Sequence, residues 1–222
     1  MSATALVTPR ALIRRRELPR WLAVIYAFEQ ASAIGVLILL APLFVLVGAV
    51  IWMLSRRPPL IAHLRAGQYG RPMWVLKYRT MWGDSDAGSG QSGLIQYITE
   101  TPNTLKRAND PRVTSRFAQF CRRHSIDELP QLLHIARGDM SLVGPRPITE
   151  AEIEEHYGLH AAEVLAARPG LTGLWQIMGR NRLSYRQRLR LDRFLVRHLC
   201  LRLYMRVVFR TIPRVLTGRD AW

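Results

Sequence analysis

The chain has 222 residues, 49% of them hydrophobic, and 32 Lys and Arg stand against 16 Asp and Glu for a formal net charge of +16. That length accommodates one membrane element plus one domain of ordinary size, and the charge surplus implies an anionic partner: nucleic acid, anionic lipid or a phosphate-bearing substrate. The two cysteines, Cys121 and Cys200, match no metal or disulfide spacing, which excludes a disulfide scaffold and fits reduced thiols in a cytoplasmic domain.

Residues 1–20 form a basic arm suited to a membrane interface, with Arg10, Arg14, Arg15, Arg16 and Arg20. Ala31 to Leu54 then carry no charged side chain. As a straight helix this run would reach about 36 Å, enough to cross a bilayer. Arg56 and Arg57 follow it, so both flanks carry the positive charge that marks the cytoplasmic side. Pro42, near the middle, removes a helical N–H and clashes with the preceding turn. The simplest geometry is a re-entrant helix that enters, turns at Ala41-Pro42 and leaves by the same face. The alternative is one kinked span. A signal peptide fits poorly, because the apolar run is too long and no small-residue cleavage site follows it. The apolar segment turns the choice of anionic partner toward lipid.

Arg56 to Gly70 is rich in Pro and Gly and reads as a linker. Pro72 to Thr80 reads as a short strand, with Trp74, Leu76 and Tyr78 alternating with Val75, Lys77 and Arg79. Gly83 to Asn103 is low in apolar content and reads as a mobile loop. Asp110 to Pro147 is the densest stretch of charge and turn signals. Glu150 to Ala167 reads as one helix with acids in its first turns. A glycine-punctuated connector follows, Arg168 to Asn181, and then two closing helices, about Ser184–Cys200 and Leu201–Val215. In the first, Tyr185, Leu189, Val196 and Leu199 share a stripe with Asp192, a carboxylate that must be paired or used if it faces a core. Arg186, Arg190, Arg193 and Arg197 form a neighbouring basic stripe. In the second, Leu201, Met205, Val208, Ile212 and Val215 form the apolar stripe, and Arg202, Arg206 and Arg210 beside it suit a headgroup-facing surface. The fold class is therefore α+β and mostly helical. Its parts are the basic arm 1–20, a re-entrant helix 21–57, and a compact cytoplasmic catalytic domain 58–222 with a short β element and amphipathic interfacial helices.

The chemistry concentrates in R-R-H-S-I-D-E-L-P-Q, where Asp127 and Glu128 follow Arg122 and Arg123. Neighbouring helical residues point about 100° apart, so the two carboxylates take different roles. Ser125 and Glu128 also fit an S-x-x-E capping box, although Pro130 would fall in that helix's second turn, where its missing N–H matters. Either way Asp127 sits near a helix start, where a carboxylate stays ionised, as a nucleophile must. Lys77 and Arg79 project from one face of the strand. Arg112 follows N-D-P, Arg146 is fixed between Pro145 and Pro147, and Arg168 precedes Pro169-Gly170. Arginine suits bidentate phosphate recognition, and stiff proline turns are poor design for a merely solvated charge. An acid beside several cations points to phosphoryl transfer through an aspartyl-phosphate, with Mg²⁺ neutralising the phosphates.

K-Y-R-T-M at Lys77–Met81, N-D-P-R-V-T at Asn109–Thr114 and S-I-D-E-L-P-Q at Ser125–Gln131 together resemble the bacterial sugar transferase family, the monotopic phosphoglycosyl transferases. So do G-D-M-S-L-V-G-P-R-P at Gly138–Pro147 and R-P-G-L-T-G-L-W-Q at Arg168–Gln176. The resemblance covers about Ala31 to the C-terminus and matches the small form, with no multi-span N-terminal domain. It implies transfer of a sugar-1-phosphate from a UDP-sugar to polyprenyl phosphate at the bacterial inner membrane, with release of UMP. It gives the nucleophile's role to Asp127, an assisting role in Mg²⁺ or proton handling to Glu128, and phosphate binding to Arg122, Arg146 and Arg168. The re-entrant helix, broken at Pro42, is also a family trait. The partners implied are UDP-sugar, polyprenyl phosphate and inner-membrane lipid, with no nucleic acid, and a homodimer is left open. Two positions depart from the family pattern: Ala118 replaces a usual glycine, and Met178 stands where a small polar residue is more usual. A hexose or an N-acetylated amino sugar fits equally at this point. A non-catalytic protein that binds anionic lipid through its arginines is the contrasting reading, and the Asp127-Glu128 pair argues against it, since a pure binding surface gains nothing from acids set among cations.

Overall fold

Two apolar helices lead the chain. In the computed structural model, which describes residues 19–81, 91–99, 113–179 and 182–218, helix α1 runs Arg20–Leu39 and α2 runs Ala41–Ser55. The break falls at Leu40 (φ −95°, ψ 7°), one residue before the expected Ala41-Pro42 turn, because Pro42 occupies the first turn of the new helix, where its missing N–H costs nothing. Among the described residues α1 is the one helix long and apolar enough to cross a membrane. Around the break, Ile34, Ile38, Leu39, Leu43, Val45 and Leu46 are exposed. Farther from it both helices carry buried faces: Leu22, Tyr26, Glu29 and Ala33 on α1, Val47 and Ile51 on α2.

The stretch expected to be a linker contains strand β1, Leu60–Ala66, which pairs antiparallel with β2, Pro72–Tyr78, in the register Leu60↔Tyr78 to Ala66↔Pro72. Pro58-Pro59 and the Gly67–Gly70 turn bracket β1 so closely that turn signals masked it. Strand β4, Ile95–Ile98, joins β1 in parallel, and the short β3, Gln91–Ser92, pairs with β4, giving the order β2-β1-β4-β3. These strands correct the reading of 83–103 as a loop where it is described; the remainder lies outside the described residues.

Helix α3, Arg116–Arg123, is capped by Ser115, whose side chain accepts from the Ala118 N–H. It leads through a 3₁₀ helix, Ile126–Gln131, into α4, Leu132–Arg137. Strands β5, Ser141–Val143, and β6, Gly170–Thr172, form a separate parallel pair. Gly170 is required there, because a side chain would run into the Gly144 backbone. The helix expected over 150–167 is broken. A single turn, α5 at Glu150–Glu152, passes into a π-turn at Ile153–Tyr157 and a 3₁₀ turn, and α6 at Ala161–Val164 resumes it. Gly158, at φ 48° and ψ −133°, holds a backbone conformation that no continuous helix contains.

The short α7, Leu174–Met178, precedes α8, Tyr185–Arg197, and α9, Leu201–Thr217. On α8 the buried positions are Arg188, Asp192 and Leu195, while Tyr185, Leu189, Val196 and Leu199 are half-buried. On α9 the core face is Tyr204 and Val207; Leu201, Met205 and Ile212 of the expected stripe are exposed, in line with Phe209 and Leu216. The apolar ridge of α9 therefore faces outward beside Arg202, Arg206 and Arg210. Among the described residues the core has four parts. One of them, Val47, Ile51 and Tyr78 with Phe44, Leu60, Phe117 and Ile126, is shared between α2 and the rest of the chain.

Candidate active site

Asp127 and Glu128 lie in the first turn of the 3₁₀ helix. The capping box does not form: Ser125 adopts a left-handed conformation at φ 56° and makes no side-chain cap bond, and only a turn links its carbonyl to the Glu128 N–H, at 3.1 Å. Tighter 3₁₀ winding also accommodates Pro130, and α4 begins only after it, at Leu132. The 3₁₀ helix and α4 cover the β2 edge, and the Leu76 N–H donates to His134 Nε2 at 3.2 Å. Two residues on, Lys77 reaches out from the strand and its Nζ donates to Glu128 Oε1 at 2.7 Å, with both side chains largely buried. Asp127 is 5% exposed. It is close enough to Cys121 that its charge adds to burial in pushing that thiol up to about 11. Ile126, just before it, packs against the cluster of Val47, Ile51 and Tyr78, to which α2 contributes, so the acid pair follows directly on the core that α2 shares.

A small cavity beside Glu128 is lined by Lys77, Gln131, Arg146 and Gln176, and by His63 and Arg65 of β1; Asp127, the next residue back, is not among its walls. Burial, reinforced by Arg65, Lys77 and Arg146, drives the His63 imidazole down to about 3, so it offers neutral hydrogen bonding. Arg65 is held by Glu152 at 3.2 Å. Arg146 is set by its two prolines over Trp175, 5.9 Å from the ring centroid. Sequence reasoning missed His63, Arg65, Gln131 and Gln176. The first two were hidden by the linker reading, although their spacing on β1 puts them on one face with Lys77 and Val75 across the ladder.

The other expected residues separate. Arg79 is fully buried, and its guanidinium donates to the Pro58 carbonyl at 2.8 Å and to Gln96, so the bonds described tie β2 to the hairpin exit and to β4. Arg168 stacks over the Tyr26 ring of α1 at 4.3 Å and does not line the Glu128 cavity. Arg122 is half-buried near the end of α3, with Nη2 enclosed and without a hydrogen-bond partner. Arg112 lies outside the described residues. Asp192 finds a hydroxyl: Tyr157 donates to its Oδ2 at 3.1 Å, while Arg188, unremarked in the sequence, packs against Trp175 at 4.7 Å. No group of three or more His, Cys, Asp or Glu able to hold a metal occurs among the described residues. The adjacent carboxylates of Asp127 and Glu128 nonetheless fit Mg²⁺, which takes one or two protein carboxylates and completes its shell with water and substrate phosphate.

The bacterial sugar transferase family model matches residues 21–218. The chain belongs to that family. Among curated relatives of this sugar transferase is the exopolysaccharide production protein ExoY of Sinorhizobium fredii, 40% identical over 203 residues, 88% of this chain and 87% of that one. Another is the UDP-glucose:undecaprenyl-phosphate glucose-1-phosphate transferase of Caulobacter vibrioides, 37% identical over 193 residues, 83% of this chain and 66% of the relative. The undecaprenyl-phosphate galactose phosphotransferase of Salmonella typhimurium is 35% identical over 205 residues; the match takes in 88% of this sugar transferase and 41% of the longer protein.

Proposed function

We propose that this sugar transferase moves a hexose-1-phosphate, glucose or galactose, from its UDP-sugar to undecaprenyl phosphate, as the first membrane step of exopolysaccharide synthesis. The acid pair beside the core shared with α2 carries this reading: Ile126 packs on the cluster of Val47, Ile51 and Tyr78 while Asp127 and Glu128 follow it in the same turn, so an acceptor phosphate at a membrane surface around the apolar helices comes near the acid without leaving the lipid. The naming of relatives for glucose and galactose transfer to undecaprenyl phosphate supports the hexose and the acceptor. In the first step an Asp127 carboxylate oxygen attacks the β-phosphorus of the donor. The bond from that phosphorus to the oxygen bridging the two phosphates breaks, and UMP leaves with the bridging oxygen. In the second step an oxygen of undecaprenyl phosphate attacks the same phosphorus, the acyl-phosphate bond breaks, and Asp127 is restored. Lys77 fixes Glu128 beside the reacting carboxylate, and Arg146 offers its guanidinium to the donor phosphates. Asp127 and Glu128 would hold Mg²⁺, which supplies charge neutralisation for the diphosphate.

Mass spectrometry after incubation with donor alone tests the reading. A hexose-phosphate adduct mapping to Asp127, absent in Asp127→Asn together with UMP release, is the expected result. Wild-type UMP release by Asp127→Asn removes the nucleophile assignment. A donor panel separates hexose from N-acetylhexosamine.

A further inference from the structure

A second cavity, about 360 Å³ in volume, lies at the other end of β2, between the β1–β2 turn and the end of α4. Arg71, Trp74, His134, Arg137, Gly138 and Asp139 are among its walls. None of them lines the cavity beside Glu128. His134 is 6% exposed, and its Nε2 accepts the Leu76 N–H. A neutral imidazole that accepts at Nε2 carries its proton on Nδ1. That N–H is buried and makes no hydrogen bond of normal length: its nearest acceptor is Asp139 Oδ2 at 3.8 Å, a long contact whose charge partly opposes the lowering of the imidazole by burial. Arg137 holds Asp139 at 3.1 Å, and the carbonyls of the last turn of α4 are engaged by the N–H groups of Gly138, Asp139 and Met140. Arg71 on the rim is the cation that remains to set the sign. The cavity thus presents a buried N–H donor, a guanidinium and the Trp74 indole to whatever enters.

Its height follows from α1. The Gln30 side chain lies directly against Gly138 on the cavity wall. Ten residues of helix separate Gln30 from the break at Leu40, about 15 Å of rise. Half of a hydrocarbon layer ~30 Å thick is the same length. A hairpin whose turn reaches the bilayer centre therefore carries this wall at the boundary between acyl chains and headgroups, the level that indole side chains favour.

We propose that this cavity binds the headgroup phosphate of an anionic membrane phospholipid, with His134 Nδ1–H and Arg71 as donors and Trp74 against the glycerol. The inference rests on the hairpin reading and is independent of the transfer reaction. Nanodiscs containing phosphatidylglycerol and diacylglycerol, followed by native mass spectrometry of the released protein, test it. Wild type should retain one phosphatidylglycerol and no diacylglycerol, and Arg71→Lys should retain it too. Arg71→Glu, at an exposed position that leaves the core intact, should lower retention at least about tenfold, the scale of one charge-assisted hydrogen bond. Equal retention by Arg71→Glu and wild type overturns the proposal, as does full displacement by millimolar inorganic phosphate, which would make the site one for free anions. Hexose-phosphate transfer measured on the same samples should persist in Arg71→Glu. Its absence from wild type would defeat the functional reading and leave the lipid result standing.

Discussion

Asp192 has no exposed surface, and its single described hydrogen bond comes from the Tyr157 hydroxyl. Burial raises its carboxyl to about 8, opposed by that bond and by Arg146 and Arg188, against an ordinary 3.8 in the unfolded chain. Between those two values the folded protein holds a proton that the unfolded chain has released, so stability falls as pH rises through this window. The slope is at most about 1.4 kcal/mol per pH unit, and it vanishes above the folded value. Asp192→Asn removes that term. Its melting temperature relative to wild type should therefore climb from pH 4 to 8 and level off beyond, and a parallel pair of curves would contradict the buried proton. Lys77, Glu128 and Arg146, which the fold brings to one cavity, were legible as candidates because each sits in a short motif whose local backbone fixes its direction, and Asp127 came with its neighbour Glu128. Arg188 and His63 were not. Their surroundings are built by Trp175, Tyr185 and Arg146 from distant parts of the chain, and no local periodicity encodes that.

At the scale of elements, one carboxylate joins the apolar helix α1 to the rest of the fold. Glu29, 3% exposed on α1, accepts from Ser141 Oγ at 3.1 Å, from the Leu142 N–H at 2.9 Å and from the Tyr204 hydroxyl of α9. Strand β5 runs from there into Gly144-Pro145-Arg146, so the docking of α1 supports the backbone that carries Arg146 to the cavity beside Glu128. Glu29→Leu strands the Leu142 N–H and the Tyr204 hydroxyl in the interior at about 1–3 kcal/mol each, while the Ser141 hydroxyl can turn to the Val143 carbonyl at 3.3 Å. Thermal unfolding in detergent should show a large loss for Glu29→Leu and a smaller one for Tyr204→Phe, which removes one donor and leaves the acceptor served by two others. If both variants melt with wild type, Glu29 is not the tie. Sequence reading began the apolar run at Ala31 and so passed over Glu29. It found β2 and the two closing helices because their periodicity is long and uninterrupted. It lost β1 to flanking prolines and glycines, and it overextended the helix that Gly158 breaks, since one glycine rarely ends so acidic a helical run.

Across the whole molecule, charge and apolar surface are the grounds on which we propose one orientation, a hairpin that enters and leaves by the same face. The net charge is +16, and arginines follow the hairpin at Arg56 and Arg57 and flank the exposed ridge of α9 at Arg202, Arg206 and Arg210. A single crossing would leave one cluster of cations on the far side against the charge rule, whereas a hairpin returns all of them to the cytoplasmic face. The hairpin is also no detachable anchor, because Val47 and Ile51 complete the core around Tyr78. The chain carries its own reporter: Cys200 is exposed between α8 and α9, and Cys121 is buried in α3. A membrane-impermeant maleimide should label Cys200 in inside-out vesicles and leave it unmodified in intact spheroplasts. A cysteine introduced at Arg20, at the start of α1, should follow the same pattern in a Cys200→Ser background. Opposite labelling of the two positions would mean that α1 and α2 form one kinked span. Asp127 would then lie on the opposite side of the bilayer from Arg20, and the arginines on either side of the apolar run could no longer share one face.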